Sequence, residues 1–218
     1  MRCISVNTVV STKSDSKSIR SSTCVKRVFV VGCPRSGTTL LQSILAAHPD
    51  VWALPESHFF EHLVPGRRIP RMLGISSNRV RRVFREICQE LQQPVPHALE
   101  FGIWRQKSLA RRVVADAQAL ACGKRVWVEK TPNHVLHIPT IDRFVPEPLY
   151  IHLIRDGRDV VASLYEVTHK YPQAWRGSGW NLEKCVSYWN RTVGGNGQAS
   201  IATKSLDDDL RQSYDTSC

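Results

Sequence analysis

Apolar positions along the chain alternate between short continuous runs and helix-spaced stripes, and this alternation predicts the fold. Val28 to Val31 is an apolar run closed by Gly32 and Pro34, the pattern of a buried strand. Leu40, Leu41, Ile44 and Leu45 follow at spacings that share one helical face, and His48-Pro49 ends that helix. Val51 to Leu54 reads as a second strand. Val80, Val83, Phe84, Ile87 and Leu91 mark a helical face behind Asn78, a suitable N-cap. Leu109, Val113, Ala117 and Leu120 mark another, ended by Gly123. A third strand begins at Arg125 and runs to Glu129 and Lys130. The helix after it is expected to start with Thr131 as cap and Pro132 in its first turn, and Pro139 to limit or kink it. Leu149 to Ile154 is a fourth strand, followed by a helix carrying Val160, Val161, Leu164 and Val167. Four strand–helix units in this order predict an α/β fold, a doubly wound parallel sheet flanked by helices.

The ends of the chain have a different texture. Residues 1–25 are rich in Ser, Thr and Lys with Asp15 as their one acid, and are expected to form a disordered basic leader; a transit peptide has the same composition. The folded domain is expected over residues 26–192. Past Trp189 the pattern fades, Gly194 to Gly197 interrupts it, and residues 193–218 read as a divergent or disordered tail carrying Asp207 to Asp209. A length of 218 residues suits one α/β domain. The formal net charge of +11 points to anionic partners: nucleic acid, an anionic cofactor and an acidic acceptor all fit the sign. No nucleic-acid module is recognisable, so no nucleic-acid partner is expected. The seven cysteines include no Cys-x-x-Cys pair, which argues against structural zinc and a disulfide framework. No apolar run approaches the ~18 residues of a membrane span. Val6 to Val10 is too interrupted for a signal peptide, and the sequon at Asn190 to Thr192 is not by itself an argument for secretion, so a cytoplasmic location is expected.

Candidate chemistry gathers at the predicted strand ends, where open α/β sheets bind ligands. Gly32 to Thr39 is a tight polar turn between strand and helix, which aims backbone N–H groups at one point, where the following helix presents its positive end, and so makes an anion site. Gly32 and Gly37 have the glycine spacing of a P-loop, so the sheet is expected to be P-loop-like. Thr38 stands where a P-loop has lysine, and Arg35 is the only cation inside the turn. Glu56 follows the second strand, either as a functional carboxylate or as a cap for the next helix. Glu129 and Lys130 end the third strand, as site residues or as a plain surface ion pair. Arg155 ends the fourth strand, and Ser163 lies on the inward face of the helix after it, as packing or as part of a phosphate clamp. Seven arginines between Arg67 and Arg85, Arg79 and Arg82 among them, face water or a partner.

Three separated motifs then share a resemblance. Pro34-Arg35-Ser36-Gly37-Thr38-Thr39 resembles the 5′-phosphosulfate loop of sulfotransferases that use 3′-phosphoadenosine 5′-phosphosulfate (PAPS). Arg155 and Ser163 match the 3′-phosphate site of that family at its spacing. Glu129-Lys130-Thr131-Pro132 resembles a motif of bacterial and Golgi-type members, and Ala47 to Glu56 resembles the tyrosylprotein sulfotransferase branch. The resemblance covers roughly residues 27–190. It implies transfer of a sulfuryl group from PAPS to a hydroxyl of a protein tyrosine, a glycan or a small molecule, an acidic acceptor fitting the charge. It further implies Glu56 as base, with His58 and His134 as second choices, and Arg35 and Lys130 as charge stabilisers. Ser36, Gly37, Thr38 and Thr39 would hold the 5′-phosphate through backbone N–H groups, Arg155 and Ser163 the 3′-phosphate, and no metal is expected. The chain departs from the tyrosylprotein branch at Val167, where that branch has a second phosphate-binding arginine. It also lacks the later strand ending in Tyr-Glu-Asp, so it is expected to be C-terminally short, with an uncovered nucleotide site and a bare sheet edge. The alternatives are a catalytically weak or inactive nucleotide-binding remnant of the family and a P-loop kinase, which would need a metal-binding carboxylate such as Asp156.

Overall fold

The structure, a computed structural model, describes residues 5–7, 25–90, 105–121, 123–175 and 179–194. Its frame is a five-stranded sheet of order β1-β5-β2-β4-β3, with β1 Ser5–Asn7, β2 Lys26–Gly32, β3 Val51–Leu54, β4 Val126–Lys130 and β5 Pro148–Ile154. The four expected strands pair in parallel, β3 with β4, β4 with β2 and β2 with β5. Around them lie α1 Thr38–Ala46, α2 Phe59–Leu63, α3 Arg68–Met72, α4 Asn78–Glu90, α5 Gln106–Leu120, α6 Ile138–Phe144, α7 Gly157–Lys170 and α8 Leu182–Gly194. The α/β, P-loop-like parallel architecture is therefore the one the alternating pattern predicts.

β1 is a departure. It lies within the stretch expected to be a leader, yet it pairs antiparallel with β5, Ser5 opposite Ile154 and Asn7 opposite His152. An outer strand presents unpaired N–H and C=O groups, and an extended segment of almost any sequence can satisfy them. The edge expected to be bare is thus covered at these positions. The rest of the leader and residues 195–218 lie outside the described residues. Regular structure continues past Trp189, since α8 runs through Gly194 with Trp189 and Thr192 buried. The sequon threonine is therefore inside the fold.

Two apolar clusters hold the layers. Phe29 on β2 meets Phe60 and Trp127 edge-on at 5.8 and 5.7 Å, and Val80, Phe84, Leu109 and Val113 complete that side, as their stripes predict. Val160, Val161 and Leu164 of α7 pack with Trp180, Cys185 and Trp189 in the second cluster. In α1 the expected face is split: Leu41 and Leu45 are half-buried, while Leu40 and Ile44 are 66% and 61% exposed. This helix touches only β2, β3 and β4 closely, and no second layer covers its outer side among the described residues.

Two expected caps are replaced. Ser77, not Asn78, caps α4, its hydroxyl accepting from Val80 N–H at 3.1 Å. Thr131 stands at the N-cap of the 3₁₀ turn Pro132–His137 but makes no capping bond, because its hydroxyl is drawn to Glu129. Pro139 sits in the first turn of α6, where no N–H is needed, so it joins the 3₁₀ turn to α6 rather than kinking a helix.

Candidate active site

The turn from β2 to α1 is shaped by contacts that its residues alone could meet. A Cβ on Gly32 would lie 2.5 Å from the Leu153 carbonyl oxygen of β5, so only glycine lets the two strands approach there. Gly37, at φ 100°, is the N-cap of α1. Arg35 is held in the left-handed region at φ 74°, a conformation that costs a non-glycine residue ~1–2 kcal/mol and is met mostly where function requires it. Ser36 N–H closes the turn onto the Cys33 carbonyl at 3.2 Å. It is therefore already spent, and the donors that helix geometry leaves at this point belong to Gly37, Thr38 and Thr39. The Ser36 hydroxyl is buried without a hydrogen-bond partner among the described residues. Burial pushes the Cys33 thiol up to about 11, so it stays protonated and is no nucleophile.

Arg35 Nε donates to Ser163 Oγ at 3.0 Å, while Arg155 Nη2 donates to Asp159 Oδ2 at 3.3 Å. Ser163 is thus bonded to the arginine of the turn; no hydrogen bond joins it to Arg155 among the described residues.

Glu56 and Lys130, 74 positions apart, meet as an ion pair in which the Lys130 side chain is 5% exposed and that of Glu56 36%. Glu56 therefore does not cap α2. Both line an open cleft of about 1330 Å³ together with Pro34, Arg35, Thr38 and Thr39. Arg79 and Arg82 of α4 line this cleft, and so do Trp175, Trp180 and Tyr188, whose rings contact one another in series. These last three went unnoticed in the sequence, because aromatic residues scattered over a loop and a helix carry no spacing signal. Burial pushes the Tyr188 phenol up to about 12, so it stays neutral and donates to Asn133. Arg155 and Ser163 do not line the cleft.

The Glu129–Lys130 surface pair does not exist. Successive side chains of a strand point to opposite faces, so Lys130 reaches Glu56 while Glu129, 1% exposed, points into the core. Its carboxylate accepts from Ser57 Oγ at 2.7 Å and Thr131 Oγ1 at 2.6 Å, and His134 Nδ1 lies 2.9 Å away. Burial opposes the charge on Glu129, but the His134 charge and the three hydrogen bonds outweigh it and hold the carboxyl below the usual range. His134 is fully buried. It cannot reach an acceptor in the cleft, which removes it as a base.

His58 remains in the cleft, its Nε2 3.5 Å from Glu56 and its Nδ1 3.1 Å from Glu61. The hydrogen bond to Glu61 raises His58 above its ordinary 6.5, against the effect of burial. The same bond lowers Glu61 from 4.5 to about 2. The raised histidine contributes stability that is complete below about pH 6.5 and is lost as pH rises through its folded value. The lowered carboxyl contributes stability present above about pH 4.5 and lost as pH falls toward 2. Glu61→Gln should therefore lower the thermal midpoint most between pH 4.5 and 6.5, with the difference from wild type shrinking on either side; a pH series of melts on both proteins checks this.

Comparisons with known proteins bear on this geometry. A family model described as "Sulfotransferase family" matches residues 27–202. Nodulation protein NoeE of Sinorhizobium fredii (strain NBRC 101917 / NGR234) is 30% identical over 140 residues, which is 62% of this chain and 30% of NoeE. Human protein-tyrosine sulfotransferase 1 is 26% identical over 171 residues, 76% of this chain and 40% of the human protein. Matched regions thus amount to less than half of these two relatives. Among solved structures, the sulfotransferase domain from the Synechococcus PCC 7002 olefin synthase is similar at a TM-score of 0.48 and 23% identity, over 85% of this chain and 67% of that one. With a family match running from the β2–α1 turn through Glu56, Lys130 and α8, the chain belongs to the sulfotransferase family.

Proposed function

We propose that the chain transfers a sulfuryl group from PAPS to an acceptor hydroxyl, with Glu56 as the base. The observation that carries this reading is the Glu56–Lys130 pair, which lines one cleft with the anion turn and Arg35. The residues present suit the donor. The first turn of α1 supplies N–H groups for the 5′-phosphate, the buried Ser36 hydroxyl has no other partner among the described residues, and Arg35 brings the turn its cation. Arg155 retains N–H donors beyond the one given to Asp159, enough to take a 3′-phosphate.

Sulfuryl transfer, like phosphoryl transfer, depends on positioning and charge stabilisation more than on covalent help. Glu56 accepts the proton of the acceptor hydroxyl, a role worth about 10²- to 10⁴-fold. Lys130 holds the Glu56 carboxylate through their ion pair and offers its remaining N–H donors to the charge that develops on the leaving phosphate. Arg35 stabilises the sulfonate. The aromatic wall of Trp175, Trp180 and Tyr188 suits an acceptor with a flat or apolar body, a tyrosine side chain or a sugar ring. The kinase alternative is disfavoured, since the Asp156 carboxylate is occupied as the N-cap of α7, accepting from Arg158 N–H and its guanidinium.

Calorimetry tests the proposal directly. 3′-Phosphoadenosine 5′-phosphate should bind more tightly than AMP by about ten- to a hundredfold without magnesium, the worth of one or two charge-assisted hydrogen bonds. Arg155→Ala should erase that preference. Equal affinity for AMP, or a strict need for magnesium, would return the site to the kinase reading.

A further inference from the structure

We infer that Glu129 and Thr131 are positioning residues that hold the base of this site in register, through a zipper between two strand ends. The inference rests on the reading of Glu56 and Lys130 as the reacting pair.

Three consecutive residues after β3 are each fastened to one of three consecutive residues at the end of β4. Glu56 pairs with Lys130, Ser57 Oγ donates to Glu129, and His58 N–H donates to Thr131 Oγ1 at 3.2 Å. The strands themselves are in parallel register up to Leu54 opposite Glu129, so the zipper prolongs the pairing where backbone ladder bonds stop. Strand alternation gives it two faces: the ion pair lies on the cleft side, and the hydroxyl–carboxylate bonds lie on the core side.

The core side is nearly closed, with Ser57 alone of its four members bordering the cleft. Ser57, Glu129, Thr131 and His134 are each no more than 5% exposed. A carboxylate taken this far from water is tolerated only when its lone pairs are filled. Glu129 Oε1 accepts from Ser57 and Thr131, and Oε2 faces His134. Ser57 Oγ in turn accepts from Phe59 N–H at 3.2 Å, and His58 is held in the left-handed region at φ 50°. The segment carrying Glu56 therefore cannot shift without breaking buried, charge-assisted bonds. In contrast, the Glu56 side chain has no hydrogen-bond donor besides Lys130 and the more distant His58 among the described residues. Its place relative to the turn is set mainly by the segment to which it is attached. Displacements of about 1 Å can cost 10²-fold in rate, which is the scale at which this zipper acts.

Thr131→Val, an isosteric change that removes the hydroxyl, should lower kcat about ten- to a hundredfold and leave affinity for 3′-phosphoadenosine 5′-phosphate within about twofold, because the anion turn lies on β2 and α1. Thr131→Ser, which keeps the hydroxyl, should restore kcat to within about threefold of wild type. Glu129→Gln, which can no longer accept from all three partners, should behave like Thr131→Val. A readout independent of activity is the NMR signal of ¹³C-dimethylated Lys130, assigned through Lys130→Arg. It should move toward the exposed lysines in Thr131→Val and Glu129→Gln and stay in place in Thr131→Ser. An unmoved Lys130 signal in the two disrupting variants overturns the inference. So does a rate loss matched by an equal loss of nucleotide affinity, which would mark a general structural role. A wild-type chain that bound no nucleotide and transferred nothing would sink the functional reading instead, while the Lys130 signal would still decide whether the zipper sets the pair.

Discussion

Glu56→Gln should reduce the transfer rate about 10²- to 10⁴-fold, the span covered by a positioned general base, while leaving 3′-phosphoadenosine 5′-phosphate affinity near wild type. The amide retains the size of the carboxylate and one acceptor for Lys130, but it cannot take a proton. The same change also touches stability. Lys130 is nearly buried, and stripping its counter-charge leaves an ammonium in a poorly solvated place. Breaking a fully buried pair costs ~3–5 kcal/mol; the 36% exposure of Glu56 discounts this to about 1–2 kcal/mol, by analogy with better-solvated pairs. Removing both charges, as in Glu56→Gln with Lys130→Met, should recover most of the lost stability without recovering rate. Single-turnover assays and thermal melts on the three proteins separate the two effects. A Glu56→Gln protein within tenfold of wild-type rate would move the role of base to His58.

Arg35→Gly should nearly abolish transfer and leave the fold no weaker. Arg35 occupies φ 74°, where glycine is at ease and other residues are strained. Relief of ~1–2 kcal/mol of backbone strain is offset by ~0.5–1 kcal/mol of extra chain entropy in the unfolded state, so the midpoint should stay level or rise by a few degrees. Loss of the guanidinium removes a stabiliser of developing charge, with a cost of about 10²- to 10³-fold in rate and weaker donor binding. Ser163→Ala, which frees Arg35 Nε from its 3.0 Å bond, should be milder, at about tenfold or less. Stability rising while activity vanishes marks a residue kept against the preference of its own backbone. A destabilised Arg35→Gly protein with intact donor affinity would instead make the arginine a structural strut.

The local signals in this chain were enough to determine the four parallel strands, the helices built on strongly periodic stripes, and the glycine turn between β2 and α1. Each follows from neighbours within one turn or one strand: apolar runs closed by glycine, 3.6-residue spacing, and a glycine pair before a helix. Glu56 and Lys130 could likewise be assigned to strand ends. What the sequence could not decide was partnership. Seating β4 between β2 and β3 brings Lys130 to Glu56 across 74 positions, and no local pattern specifies strand order. Alternation shows that Glu129 and Lys130 diverge, but not which faces the core, because a buried carboxylate is tolerable only with Ser57, Thr131 and His134 already in place. The same holds for Ser163, whose partner is the arginine of the turn and not Arg155. The pairing of Ser5–Asn7 with β5 is equally non-local: an open sheet edge recruits backbone, and backbone hydrogen bonds carry no mark in the side-chain pattern.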